Sequence, residues 1–404
     1  MVYKMKKIVV KNPIFINPFF AYVLFWTLAL FLYNFSPSEL SIALDKTLVV
    51  FLLCTILFAF IGMLYFNSKY KNKKIYVHHK APNAITIILL YILYLFDFIY
   101  SKNIPLLTAL FGSGYNSGYY EFGIPTIHVA ITIISTFYCI FQWFQFIVFR
   151  KKSNLIAFLL IALYFVLIFS RGLWMFIGAA AVILFLMDKK ITVLRGICFF
   201  IFIVVAAWGF GILGNIRSGY HWNDTGYFMS VAQIDGNRYS IFSPLYWVVE
   251  YITSPLRNLN YNVSLEHEWS FSGLIYSNLP DAIAKRLFPQ IDFSELVQLV
   301  LPNFTTCTGY AGSYVSFGYI GMIVSFSGWM VIALIFTKFR ICRFEIKVLC
   351  FSMLFYLYAM TMFDNMIFYS GYSFSIIIAL IYSFLSKTKR ATCPTNYKVC
   401  KKSA

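Results

Sequence analysis

Charge is what this 404-residue chain has least of. Asp, Glu, Lys and Arg make up 12% of it, and only 15 residues are acidic. An average soluble domain carries about 25% charged residues, so an ordinary water-soluble fold is excluded. The apolar stretches are solid runs rather than alternating ones, which excludes an outer-membrane barrel. Long-period repeats and low-complexity tracts are absent, so the chain is no solenoid or array. The first apolar run is too long for a signal-peptide core and lacks a small-residue cleavage pattern, so it is expected to remain as a helix. Of the eight cysteines, Cys307 alone falls in an expected outer segment, where it has no partner for an intramolecular disulfide. No Cys/His spacing resembles a metal site, and neither metal nor other cofactor is expected.

What remains is 60% hydrophobic and 21% aromatic, the composition of an all-α, polytopic membrane helical bundle, because only helices satisfy every backbone polar group across lipid without a closed barrel. At ~20 apolar residues per crossing, about ten spans are expected, at 17–35, 47–66, 84–101, 127–149, 154–170, 173–187, 196–214, 313–336, 348–363 and 371–386. The domain plan is then helices 1–7 over 1–214, one large extracytoplasmic loop over 215–312, helices 8–10 over 313–386, and a basic cytoplasmic tail, 387–404. The formal charge of +18 is distributed accordingly. Inner segments hold four basic residues (Lys4 to Lys11), five (Lys69 to Lys80), three (Arg150 to Lys152), three (Lys189 to Arg195), four (Lys338 to Lys347) and six (Lys387 to Lys402). They take 25 of the 33, which by the positive-inside rule places both termini in the cytoplasm. These clusters read as topology determinants facing anionic membrane lipids, and no nucleic-acid partner is expected.

Several residues interrupt the apolar pattern. His78 and His79, adjacent in an inner basic loop, read as solvated neighbours rather than a metal pair. Asp97 lies inside the third run, where a carboxylate is costly unless paired or wet; it is either functional or snorkels outward. The segment 104–125 reads as an outer loop dipping into the interface, with Tyr115, Tyr119 and Tyr120 as anchors. Arg171 separates two apolar runs with no acidic neighbour in sequence, and Arg217 emerges at the end of the seventh. Within the long loop, short helices are expected near 243–253, lying on the membrane surface with Tyr246 and Trp247 at headgroup level, and near 293–301, with turns at Pro244, Pro255, Pro280, Pro289 and Pro302.

Arginine is distributed unevenly. Of the eight outer basic residues five are Arg (Arg171, Arg217, Arg238, Arg257, Arg286), whereas inside only five of 25 are. A planar guanidinium makes paired hydrogen bonds to phosphate or carboxylate that an ammonium does not. These arginines therefore either hold the loop together by ion pairs or bind an anionic ligand. With tyrosine and tryptophan faces nearby, Tyr220, Trp222 and Tyr261 among them, the segment suits an amphiphile with a lipid tail, an anionic bridge and a sugar head.

The fragments YFVLIFSRGLWMF (164–176), YITSPLRNLNYN (251–262) and TTCTGYAGSYVSFGYIGMIVSF (305–326) resemble those of bacterial oligosaccharide repeat-unit polymerases, the Wzy-type O-antigen polymerases. The order of helices and the placement of the largest outer loop also fit. A family pattern of arginine followed eleven positions later by glycine is not kept: Arg217 meets Phe228 and Arg257 meets Glu268. The resemblance implies metal-independent, inverting glycosyl transfer between undecaprenyl-diphosphate-linked glycans at the outer face of the inner membrane, making O-antigen or capsule. A chain-length regulator is left open as a further partner. Arg171, Arg217 and Arg257 are the expected diphosphate ligands, since fixed cations favour a leaving group that gains charge. His267, Glu266, Glu250 and His221 are the candidates for the base, with Asp97 and Arg238 as further candidates. O-antigen ligase and flippase are the competing readings, followed by an acyltransferase centred on His128.

Overall fold

The computed structural model describes residues 5–111, 122–189, 192–234, 237–292, 296–338 and 342–391; for a few of them, including Arg171 and Arg217, only the backbone is described. Tyr115, Tyr119 and Tyr120, and the tail beyond residue 391, lie outside the described residues.

The ten apolar runs are all helical. They form α1 (Pro18–Asn34), α2 (Lys46–Tyr70), α3 (Ala84–Ser101), then, after the short α4 (Pro105–Phe111), α5 (Ile127–Phe149), α6 (Lys152–Leu167), α7 (Arg171–Leu186) and α8 (Val193–Arg217). The polar stretch holds α9 (Gly226–Val231), α10 (Ser243–Val263), α11 (Phe271–Ser277) and α12 (Asp281–Leu287). The chain closes with α13 (Ala311–Lys338), α14 (Phe344–Ala359) and α15 (Ser370–Ala391). Among the described residues, five helical stretches are long and apolar enough to cross a membrane: α2, α3, α5, α13, and α14 with its extension to Met362. The shorter apolar helices include Pro18–Asn34, Lys152–Leu167 and Gly172–Leu186. α14 is the buried axis, packing on α1 and α7, and its window is 83% buried, while that of α3 is 17% buried and presents its apolar side chains outward.

The basic segments gather at one end. Met5–Val9 (β1) and Lys74–His78 (β2) pair antiparallel, with Met5 opposite His78 and Lys7 opposite Tyr76. The sequence pattern does not announce this ribbon, because five-residue strands inside a basic arm and a basic loop carry no apolar run. Lys6 Nζ donates to Val148 O (2.7 Å), Lys80 N to Gln145 Oε1 (3.1 Å), Asn12 Nδ2 to Leu186 O (3.4 Å) and Tyr70 OH to Thr337 O (2.8 Å). The amino-terminal arm and segments from four further connections are thereby tied to the same end.

At the opposite end α10 departs from expectation. It runs 21 residues, straight through Pro255, instead of stopping near 253. Proline inside a helix costs about 3 kcal/mol. The offset lies in the next turns of the helix, where three asparagines hold two loops, Asn258 and Asn262 the 298–306 segment and Asn260 the turn before α2. Asn258 Nδ2 donates to Phe304 O and Thr306 O (3.1 and 2.8 Å), and its Oδ1 accepts from Val300 N. Asn260 accepts from Asp45 N (2.8 Å) and donates to Ala43 O. Asn262 donates to Gln298 O (2.7 Å) and accepts from Gln298 N. Nor does the helix lie on a surface. Trp247 is buried, stacked on Tyr227 at 4.8 Å, and donates to Asn215 Oδ1 at 2.7 Å. α8 approaches so closely that a Cβ on Gly211 would sit 1.8 Å from Pro244 O. The helix expected at 293–301 falls partly outside the described residues, and 297–301 is not helical. The glycine-rich start of α13 bends at Phe317–Gly318, where Gly318 takes φ +56°, and Gly321 packs against Ser313 O with no room for a side chain.

Candidate functional site

Arg257 and Glu250 lie two helical turns apart on one face of α10 and form a buried pair. Nη1 donates to Oε2 at 3.0 Å and Nη2 to Oε1 at 3.2 Å, while Nε and Nη2 also reach Ser41 Oγ at 3.2 and 2.8 Å. Arg257 is 2% exposed and Glu250 fully buried. Burial pushes the Glu250 carboxyl above its ordinary range, against the lowering pull of Arg257. Of the two readings of the outer arginines, Arg257 fits the ion pair that holds the loop; its guanidinium faces a carboxylate and a serine, not an open groove.

The other expected site residues are dispersed. His267 is half-buried, with Nε2 2.8 Å from Asn262 O and its ring edge-on to Tyr314. Glu266 and Tyr261 are exposed. His221 is exposed, with Nδ1 2.5 Å from Asn223 Oδ1. Arg238 is 67% exposed, 3.7 Å from Asp224. Tyr220 and Trp222 pack edge-on to Tyr227 and Trp208. Arg171 opens α7 and Arg217 closes α8; their side chains lie outside the described residues.

Asp97 does not snorkel. It is fully buried and accepts from Ile124 N (3.0 Å), Tyr164 OH (2.9 Å) and His128 Nδ1 (2.8 Å). Neither it nor His128 belongs to the loop. Among the described residues no group of three or more His, Cys, Asp or Glu could hold a metal ion. His78 lies instead against Glu345, its backbone N donating to Oε2 at 3.2 Å.

The residue that sequence reasoning passed over is Asp364, in the turn between α14 and α15. It is held by Asn365 N (2.6 Å) and Tyr369 OH (2.9 Å), and burial raises its carboxyl from the usual carboxylate range to about 6. The carboxylate in turn pushes the Tyr369 phenol up. Several elements meet around this turn. Phe363 stacks on Tyr251 of α10 (6.0 Å, 12°), and Asn365 Nδ2 donates to Ser277 O of α11 (2.8 Å). Asp281, at the start of α12, donates its N–H to Phe368 O and accepts from Ser370 N. Tyr369 packs on Tyr372, and the Tyr372 hydroxyl lies 2.2 Å from where a Cβ on Gly172 would stand, so the phenol sits directly against the backbone beside Arg171 at the head of α7. Two of the nine buried side-chain polar atoms that lack a hydrogen-bond partner among the described residues are here, Asn365 Oδ1 in this turn and Thr308 Oγ1 before α13. A lone acid between apolar runs was the available signal, the same one that singled out Asp97.

No family model, curated protein or solved structure matches the chain.

Proposed function

We propose that this protein is an integral membrane glycosyltransferase that polymerises undecaprenyl-diphosphate-linked oligosaccharide units into surface polysaccharide, O-antigen or capsule. In this reading the ten apolar helices are ten crossings, the basic end is cytoplasmic and the Asp364 end faces outward in the bacterial inner membrane. A hydroxyl of the acceptor glycan attacks the anomeric carbon of the donor, the bond from that carbon to the diphosphate oxygen breaks, and configuration inverts. The hydroxyl proton passes to Asp364, and the polyprenyl diphosphate leaves with the bonding electron pair. Arg171 at the head of α7 and Arg217 at the end of α8 stabilise that growing charge more in the transition state than in the ground state. Arg257 supports the wall through Glu250 rather than touching the leaving group.

The observation that carries this reading is the Asp364 junction: a carboxyl near neutrality, the value suited to a general base, linked through Tyr369 and Tyr372 to the helix end that bears Arg171. The test is the glycolipid of a strain lacking this chain. A missing polymerase leaves glycolipid capped with single units. A ligase or a flippase leaves no capped glycolipid, and that outcome would refute the polymerase.

A further inference from the structure

The Asp97 trio plays no part in the junction, yet its geometry is that of a built site. Three helix ends converge: Asp97 from the last turn of α3, His128 from the first turn of α5 and Tyr164 from the last turn of α6. The backbone is shaped around the imidazole. Thr126, a β-branched residue, takes φ +69° and ψ −44° in a turn closed by Ile127 N donating to Pro125 O at 2.8 Å. Such positive-φ γ-turns are rare and strained, and strain of this kind persists only where the surroundings impose it. Gly123 takes φ +91°, and a Cβ there would lie 2.5 Å from the His128 ring. Phe122 meets the same ring edge-on at 5.3 Å.

The Nδ1 edge of the His128 ring is taken by Asp97 Oδ2 and by Tyr164 OH at 3.2 Å, which leaves Nε2 as the ring atom open to a ligand. Among the described residues nothing hydrogen-bonds Nε2, and the His128 side chain is 21% exposed. On the other side of Tyr164 runs an apolar cavity of about 150 Å³, lined by Tyr91, Tyr94, Leu95, Phe98, Leu163, Tyr164 and Leu167. An apolar void of that size takes hydrocarbon rather than water. Tyr164 belongs to both features: its ring stacks on Tyr94 at 3.7 Å and lines the cavity, while its hydroxyl donates to Asp97. The cavity opens between α3 and α6, whose neighbouring side chains Leu95, Phe96 and Leu163 are 58, 56 and 44% exposed. α3 is one of the membrane-crossing candidates, so the mouth faces acyl chains.

We propose that Asp97, His128 and Tyr164 form a binding site for a hydroxyl-bearing membrane lipid, whose chain lies in the α3–α6 cavity and whose hydroxyl hydrogen-bonds His128 Nε2. A neutral head fits better than an anionic one, because the trio is an acid, an imidazole and a phenol and brings no Lys or Arg of its own to hold a phosphate.

The test uses the full chain in lipid nanodiscs with two photoreactive probes of equal chain length, a long-chain primary alcohol and its methyl ether. The alcohol is expected to label the stretches Tyr91–Phe98 and Leu163–Leu167 at least threefold more than the ether. His128→Phe is expected to lower alcohol labelling to the ether level while leaving ether labelling unchanged, a split that loss of packing would not produce. Leu163→Trp, at an exposed position, fills the cavity and removes labelling by both. Equal labelling of the wild type by the two probes, or an alcohol preference that survives His128→Phe, would overturn the proposal. The wild-type comparison and Leu163→Trp decide the matter if His128→Phe does not fold.

Discussion

Two carboxylates at the non-basic end, Glu250 and Asp364, are both raised by burial, and they are raised in different company. Glu250 meets a bidentate guanidinium that also bonds Ser41, so its charge is matched inside a closed set of donors. Asp364 has one backbone N–H and one tyrosine hydroxyl, no cation in contact among the described residues, and an orphaned amide oxygen beside it. The first arrangement is complete and holds α10 to the 36–45 turn. The second has fewer partners, and burial lifts its carboxyl to about 6, the range that suits proton exchange near neutrality. Arginine content singles out the closed pair and not the open one, because an arginine that builds and an arginine that binds are spelled alike.

Breaking the closed pair should have the largest effect. Arg257→Ala leaves Glu250 buried and uncompensated, a loss of about 3–5 kcal/mol, read as a fall in thermal unfolding temperature in detergent. The double variant Glu250→Leu with Arg257→Met should recover most of it and retain polymerisation. If the double variant is stable and inactive, Arg257 touches substrate after all. At the open site the order reverses. Arg171→Ala should cut chain elongation about 10²- to 10³-fold, the usual loss for one transition-state donor, with the unfolding temperature unchanged.

Asp364→Asn should lower elongation about 10²- to 10⁴-fold. In the wild type the ionised carboxylate is the active form, so the rate rises with pH through about 6, and the variant should lose that limb. The stability sign is opposite. A carboxyl raised on folding binds its proton more tightly in the folded state, so its stabilisation is complete below the unfolded value and is lost as pH rises through about 6. At pH 7 the asparagine variant should therefore unfold no earlier than the wild type. The smallest effect belongs to the loop clamps: Asn260→Ala leaves Asp45 N and Ala43 O without partners, a cost of about 1–3 kcal/mol, with elongation retained.

The helices are legible in the sequence because solid apolar runs admit one solution in lipid, and the basic clusters do gather at one end. The β1–β2 ribbon is not, since its residues are basic and short. Local propensity alone makes α10 a surface helix ending at proline; the asparagine contacts that carry it onward lie 36 to more than 200 residues away in sequence. At the sites, Asp97 stands out for its setting, but its partner His128 reads as a helix-end residue of another reaction class, and Asp364 reads only as part of a turn. Contacts with distant segments, which no local stretch of sequence contains, make their settings distinctive: Tyr164 and Asp97 at His128, Tyr251 and Ser277 beside Asp364.

The central claim is that polyprenyl-diphosphate-linked glycans are elongated at the Asp364 end. Its most direct measurement is the product length formed by the purified chain in liposomes, supplied with lipid-linked oligosaccharide extracted from a deletion strain. Wild-type protein should give a ladder of repeat units that is absent with Asp364→Asn and Arg171→Ala. Unextended substrate with folded wild-type protein, or an undiminished ladder with both variants, would contradict it.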